Sequence, residues 1–154
     1  MEKIDSDSIR VNIPIEQKIQ VEPNREYAVK GFKFQTIPAY NNKAEKLNFH
    51  PKENNWVGYI FYLNGQKIYH AGDTDFIEEM KGLKSLNLDV AILPIGGTYT
   101  MDVKEAVEAA NAICARITVP MHYKNLLGEK HQEETEKFKK LVTNSKVVIF
   151  EEIG

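Results

Sequence analysis

The sequence predicts a single-domain α/β chain over residues 1–154, of α+β type: antiparallel strands first, then a βαβα run that lays helices on one face of the sheet. Three observations carry this reading. Between Tyr27 and Ala71 the apolar and aromatic residues come in short runs broken by the turn pairs Lys30-Gly31 and Asn64-Gly65. After Asp73 helical periodicity alternates with β-branched runs. The composition, 42% apolar and 27% charged over 154 residues, is that of a globular domain able to bury a core.

Residues 1–16 are polar and weakly patterned, and are expected to form an arm. Strands at 18–21, 27–29 and 32–37 are expected as a meander around a Pro23-Asn24 turn and the Lys30-Gly31 turn. Residues 40–56 make a long polar loop, a length that in a compact domain is often functional or mobile. Strands at 57–63 and 66–71 form a hairpin, because Asn64 and Gly65 both tolerate positive φ. A short helix is expected at 77–83 and a buried strand at 89–95, ending in Gly96-Gly97. Asp102-Val103-Lys104-Glu105 has capping-box spacing. Val103, Ala106, Val107, Ala110 and Ile113 then trace one helical face. A strand at 117–119, a helix at 133–142 with Phe138, Leu141 and Val142 inside, and a strand at 146–150 complete the chain. The sheet face turned away from the helices needs a partner layer.

Several function classes are disfavoured. A formal charge of −2 gives no lysine and arginine excess for nucleic acid. No apolar run approaches the ~20 residues of a membrane helix, and residues 1–7 lack the apolar core of a signal peptide. One cysteine, Cys114, forms no internal disulfide, which suits a reducing cytoplasm; it reads as a small core side chain. Lys137, Lys139 and Lys140 read as a solvated helix face, and His131 as an exposed helix-start residue.

Two runs stop abruptly on potential metal ligands: Tyr69-His70-Ala71-Gly72-Asp73-Thr74-Asp75 and Pro120-Met121-His122-Tyr123. Ligands at the ends of adjacent strands converge at one sheet edge, where a zinc, manganese or iron site built from imidazole and carboxylate can form. Asp73 follows a glycine that lets the backbone turn, and Thr74 is placed to orient it. Taken alone, Asp73 reads first as a loop aspartate after a hairpin, or as a cap for a helix at 76–82. His122 reads equally as a satisfied, half-buried side chain. Asp75 either orients a ligand or caps a helix. His70 is set apart as a non-ligand, since Tyr69 and Ala71 point to the opposite sheet face.

This series, with Leu93-Pro94-Ile95-Gly96 between its two parts, resembles the metallo-β-lactamase superfamily over about residues 21–123. Within it, the chain is most similar to the branch of metal-dependent hydrolases related to the bacterial ascorbate-phosphate lactonase. The resemblance implies part of an αββα sandwich and a site for zinc or manganese. It makes Asp73 the bridging and catalytic carboxylate and His122 the ligand at a strand end. The third ligand is assigned to His50, 23 residues before Asp73; a solvated loop histidine is the competing reading. The branch often carries a histidine after a strand ending like Ile37-Pro38-Ala39-Tyr40, where this chain has Asn41. His70 takes a supporting or substrate-facing role, and Gly96-Gly97-Thr98-Tyr99 and Tyr123 line the pocket. In the complete enzyme a metal-bound hydroxide would cleave an ester, lactone or phosphoester of a small-molecule substrate. The superfamily's His-x-His-x-Asp-His motif occurs nowhere in these residues. The chain is therefore expected to be the C-terminal part of such an enzyme, to pair with a partner chain supplying the first half, or to be a non-catalytic module that forms a homodimer through its open sheet.

Overall fold

The computed structural model describes residues 19–150. Seven strands form one sheet in chain order: β1 Glu26–Val29, β2 Phe32–Pro38, β3 Val57–Leu63, β4 Gln66–His70, β5 Val90–Pro94, β6 Ile117–Met121 and β7 Lys146–Val147. The first three pairings are antiparallel and the last three parallel. Two tight hairpins set the antiparallel half. Their turn residues, Lys30-Gly31 at φ 49° and 82° and Asn64-Gly65 at φ 49° and 78°, have the doubly positive φ that matches strand twist.

The parallel half needs crossovers, supplied by α1 Glu78–Lys81, α2 Val103–Ile113, and α3 Lys124–Leu127 with α4 His131–Leu141. Because successive parallel strands are added in one direction, right-handed crossovers bring these helices to one face. Ile60, Tyr69, Ala91 and Val147 face them and join Met80, Ala106, Ala110, Ile113 and Phe138 in the core. The rows on the opposite face run Phe34, Phe61, Ile68, Val90, Ile117 and Tyr59, His70, Ile92, Val119. Most of these side chains are only half-buried. Five rings, Tyr27, Phe32, Phe34, Tyr59 and Phe61, pave its antiparallel end with centroids 5.1 to 6.4 Å apart.

Several expectations change. The arm at 1–16 lies outside the described residues, as does residue 18. Residues 19–21 form no strand. The chain instead turns around Thr36, whose hydroxyl donates to the Glu22 carbonyl at 2.6 Å and accepts from the Arg25 N–H at 3.0 Å. The helix at 77–83 shortens to α1 and passes into a 3-10 turn, Gly82–Leu86. The last strand stops at Val147. Leu141 is 45% exposed, because α4 buries Thr135, Phe138 and then Val142, a stripe that leaves Leu141 on its flank. The capping box is half-formed. Asp102 accepts from the Glu105 N–H at 2.8 Å, while Glu105 turns to the Phe76 N–H at 2.9 Å.

Candidate metal centre

Asp73 sits just past the end of β4, after Gly72 at φ 70°. His122 follows β6 directly and adopts φ 53°, the left-handed region that costs a side-chain-bearing residue energy. Gly96 makes this placement possible. A Cβ there would lie 2.2 Å from the His122 carbonyl oxygen, so only glycine allows the chain beyond β5 to pass so close. His50 arrives on the long loop between β2 and β3, which closes on itself where the Asn41 N–H donates to the His50 carbonyl at 2.8 Å.

The two imidazoles meet on the one carboxylate. His122 Nδ1 stands 2.8 Å from Asp73 Oδ1, and His50 Nε2 stands 3.4 Å from Oδ2. The His122 imidazole holds the Asp73 carboxyl below its ordinary pKa, against burial, which pushes the other way. His50 Nδ1 lies 2.9 Å from Asn41 Oδ1 and 3.1 Å from the Tyr99 carbonyl oxygen. Asn41 is itself oriented by its amide N–H, which donates to that same carbonyl at 3.0 Å. Both partners of Nδ1 are acceptors, so in the neutral ring Nδ1 carries the hydrogen and Nε2 aims its lone pair at Asp73. A lone pair facing a carboxylate calls for a positive charge between them, either a proton or a metal ion. Asp73 Oδ1, in turn, is buried without a well-aligned hydrogen bond.

The donor set of two imidazoles and a carboxylate thus fits a metal in chemistry. The fit is partial: among the described residues, no three or more His, Cys, Asp or Glu groups make a ready-made metal cage. His70 is placed differently. Its Nδ1 accepts from the Gly72 N–H at 3.2 Å, and burial followed by the nearby His122 lowers its pKa.

Thr74 does not orient Asp73. Its buried hydroxyl accepts from the Tyr40 N–H at 3.1 Å and lies 3.0 and 2.8 Å from the Tyr40 and Asp75 carbonyls, fastening the loop instead. Asp75 caps no helix: its Oδ2 accepts from the Asn42 and Lys43 N–H groups. Tyr99 and Tyr123 border a groove with His50, Asp73, His122 and Trp56, whereas Gly96 and Gly97 do not line it. His131 begins α4 as expected but is half-buried rather than exposed, and it lines the same groove. Asn41 was noted only as standing where the branch often carries a histidine, with no role of its own, and Trp56 went unmarked. Nothing in a polar loop distinguishes the asparagine that becomes 1% exposed from its neighbour Asn42.

The family model described as the β-lactamase superfamily domain matches residues 2–123. A UPF0173 metal-dependent hydrolase of Thermococcus onnurineus is 40% identical over 124 residues, 79% of this chain and 53% of the relative. A candidate metal-dependent hydrolase of Parabacteroides distasonis superposes with a TM-score of 0.72 at 32% identity, covering 84% of this chain and 56% of that one. A metallo hydrolase of Ignicoccus hospitalis superposes at 0.68 and 28% identity, covering 86% and 57%. The chain spans about half the length, or less, of the curated relatives it matches. Among the described residues, no helix is long and apolar enough to cross a membrane.

Proposed function

This chain belongs to the β-lactamase superfamily, and from that premise we propose that it carries the C-terminal share of a metal-dependent hydrolase site, acting on an ester, lactone or phosphoester of a small molecule. The observation behind the proposal is the convergence of His50 and His122 on the two oxygens of Asp73. These three residues would hold zinc or manganese. When bound, such a metal supplies Lewis acidity toward the substrate and lowers the pKa of water. The chain's own part is to aim His50 through Asn41, to hold His122 in its left-handed turn, and to wall the groove with Trp56, Tyr99 and Tyr123. His70 borders the site from the open sheet face.

The remaining ligands belong to a layer outside the described residues. The half-exposed aromatic face is where such a layer, in the same polypeptide or a partner chain, would pack. The same face supports a second reading, a non-catalytic half-fold that forms a homodimer through it. A cytoplasmic setting accompanies both readings.

Metal content per chain, measured by plasma mass spectrometry after zinc or manganese loading and desalting, tests the proposal. About one metal retained, and lost in Asp73→Ala and His122→Ala, is expected. No retained metal, with a tight dimer unaffected by either substitution, would favour the second reading.

A further inference from the structure

A second group of charges, apart from the three candidate ligands, lies beneath the loop that bears His50. Lys46 is buried: its side chain is 8% exposed, its Nζ donates to the Thr100 carbonyl, and it stands 3.5 Å from Asp75 Oδ1. Asp75 is fully buried, and its other oxygen accepts from the Asn42 N–H at 2.9 Å and the Lys43 N–H at 3.2 Å. Lys43 pairs with Glu105 at the start of α2. Burial opposes the Lys43 charge, but the Glu105 carboxylate outweighs it and raises the lysine's pKa.

Both lysines lie inside the segment closed by Asn41 and His50, and both acids lie on the framework, one two residues from Asp73 and one on α2. A lysine and an aspartate withdrawn from water this far are costly unless paired, and they are tolerated only in one geometry. That geometry fixes where the loop sits, and the loop fixes where His50 points. We propose that Lys46–Asp75, extended by Lys43–Glu105, is a positioning latch that delivers His50 to Asp73. None of the four contacts the reacting atoms. As a statement about metal binding, the latch rests on the reading of His50 as a ligand; as a statement about the pose of His50, it does not.

The test uses the whole chain. Long-range proton–nitrogen correlation spectra of the imidazole rings, recorded without metal, report the His50 tautomer. Competition against a chromophoric chelator reports zinc affinity. In the wild type His50 is expected as the Nδ1–H form. In Lys46→Met its ring should average between tautomers and zinc affinity should fall about tenfold, the scale of losing a supporting contact behind a ligand. On a His50→Ala background Lys46→Met should cost no further affinity, since the two act through one side chain. Lys46→Arg should recover most of the loss. If Lys46→Met fails to fold, Lys43→Met at the more accessible pair carries the same measurements. An unchanged His50 ring overturns the latch, as does an affinity loss of equal size with and without His50. A wild type that binds no zinc, with a His50 ring still released by Lys46→Met, would sink the metal reading and leave the latch standing.

Discussion

His50 and His122 reach the two oxygens of one carboxylate, and they are held there by opposite kinds of force. His122 is placed by the main chain. It ends a parallel strand, takes a left-handed φ of 53°, and has its carbonyl wedged against Gly96. His50 is placed by side chains: an asparagine behind its ring, and ion pairs under its loop. The first arrangement stores strain in the backbone at the site, and the second spends buried charge to remove freedom from a loop. The difference predicts that damage to each will look different.

The largest effect is expected at Gly96. Gly96→Ala would drive a methyl into the His122 carbonyl, a backbone atom that cannot swing aside. Overpacking of this kind costs about 3 kcal/mol, read as a lower midpoint in chemical denaturation. Zinc should be lost with it. A Gly96→Ala chain as stable as the wild type would mean that the strand end adapts and that His122 is not fixed by the main chain.

A middle-sized effect sharpens the contrast by its sign. His122→Gly removes a candidate ligand and also the cost of left-handed backbone, so stability should hold or rise by about 1 kcal/mol while zinc binding is lost. His50→Ala deprives Asn41 Oδ1 of its donor in a buried setting, and should cost about 1 to 2 kcal/mol. Matched denaturation curves of the two variants decide it. If both variants lose stability equally, the strain assigned to His122 is absent.

The same contrast governs how much the sequence made legible. The meeting of His122 with Asp73 was legible because both residues sit at strand ends, and strand ends are marked by runs of apolar residues that stop. Both hairpins were visible because only certain residues accept the φ values of their turns. The open face followed from the order of strands and helices. The loop was opaque for a physical reason. Lys46, Asp75, Glu105 and Asn41 meet partners 29 to 62 residues away, or across the loop, and no periodicity records such contacts. Thr74 misled for that reason too: beside Asp73 in sequence, it bonds to Tyr40, 34 residues earlier. His50 was reached through spacing and resemblance, but what holds it was not.

The smallest effect belongs to a third ion pair on the same loop. Lys52 stands 3.6 Å from Glu79, 3.2 Å from the Tyr40 hydroxyl, and over the Tyr40 ring at 4.3 Å. It has two partner residues, as Lys46 does. It differs in solvent: Lys52 is 62% exposed, and water and salt screen what burial concentrates at Lys46. Lys52→Met should therefore leave the unfolding midpoint and zinc affinity unchanged at ordinary ionic strength, while Lys46→Met lowers both. Equal losses from the two would mean that the number of contacts, not their removal from water, fastens the loop, and the distinction between a latch and an ordinary surface pair would fall with it.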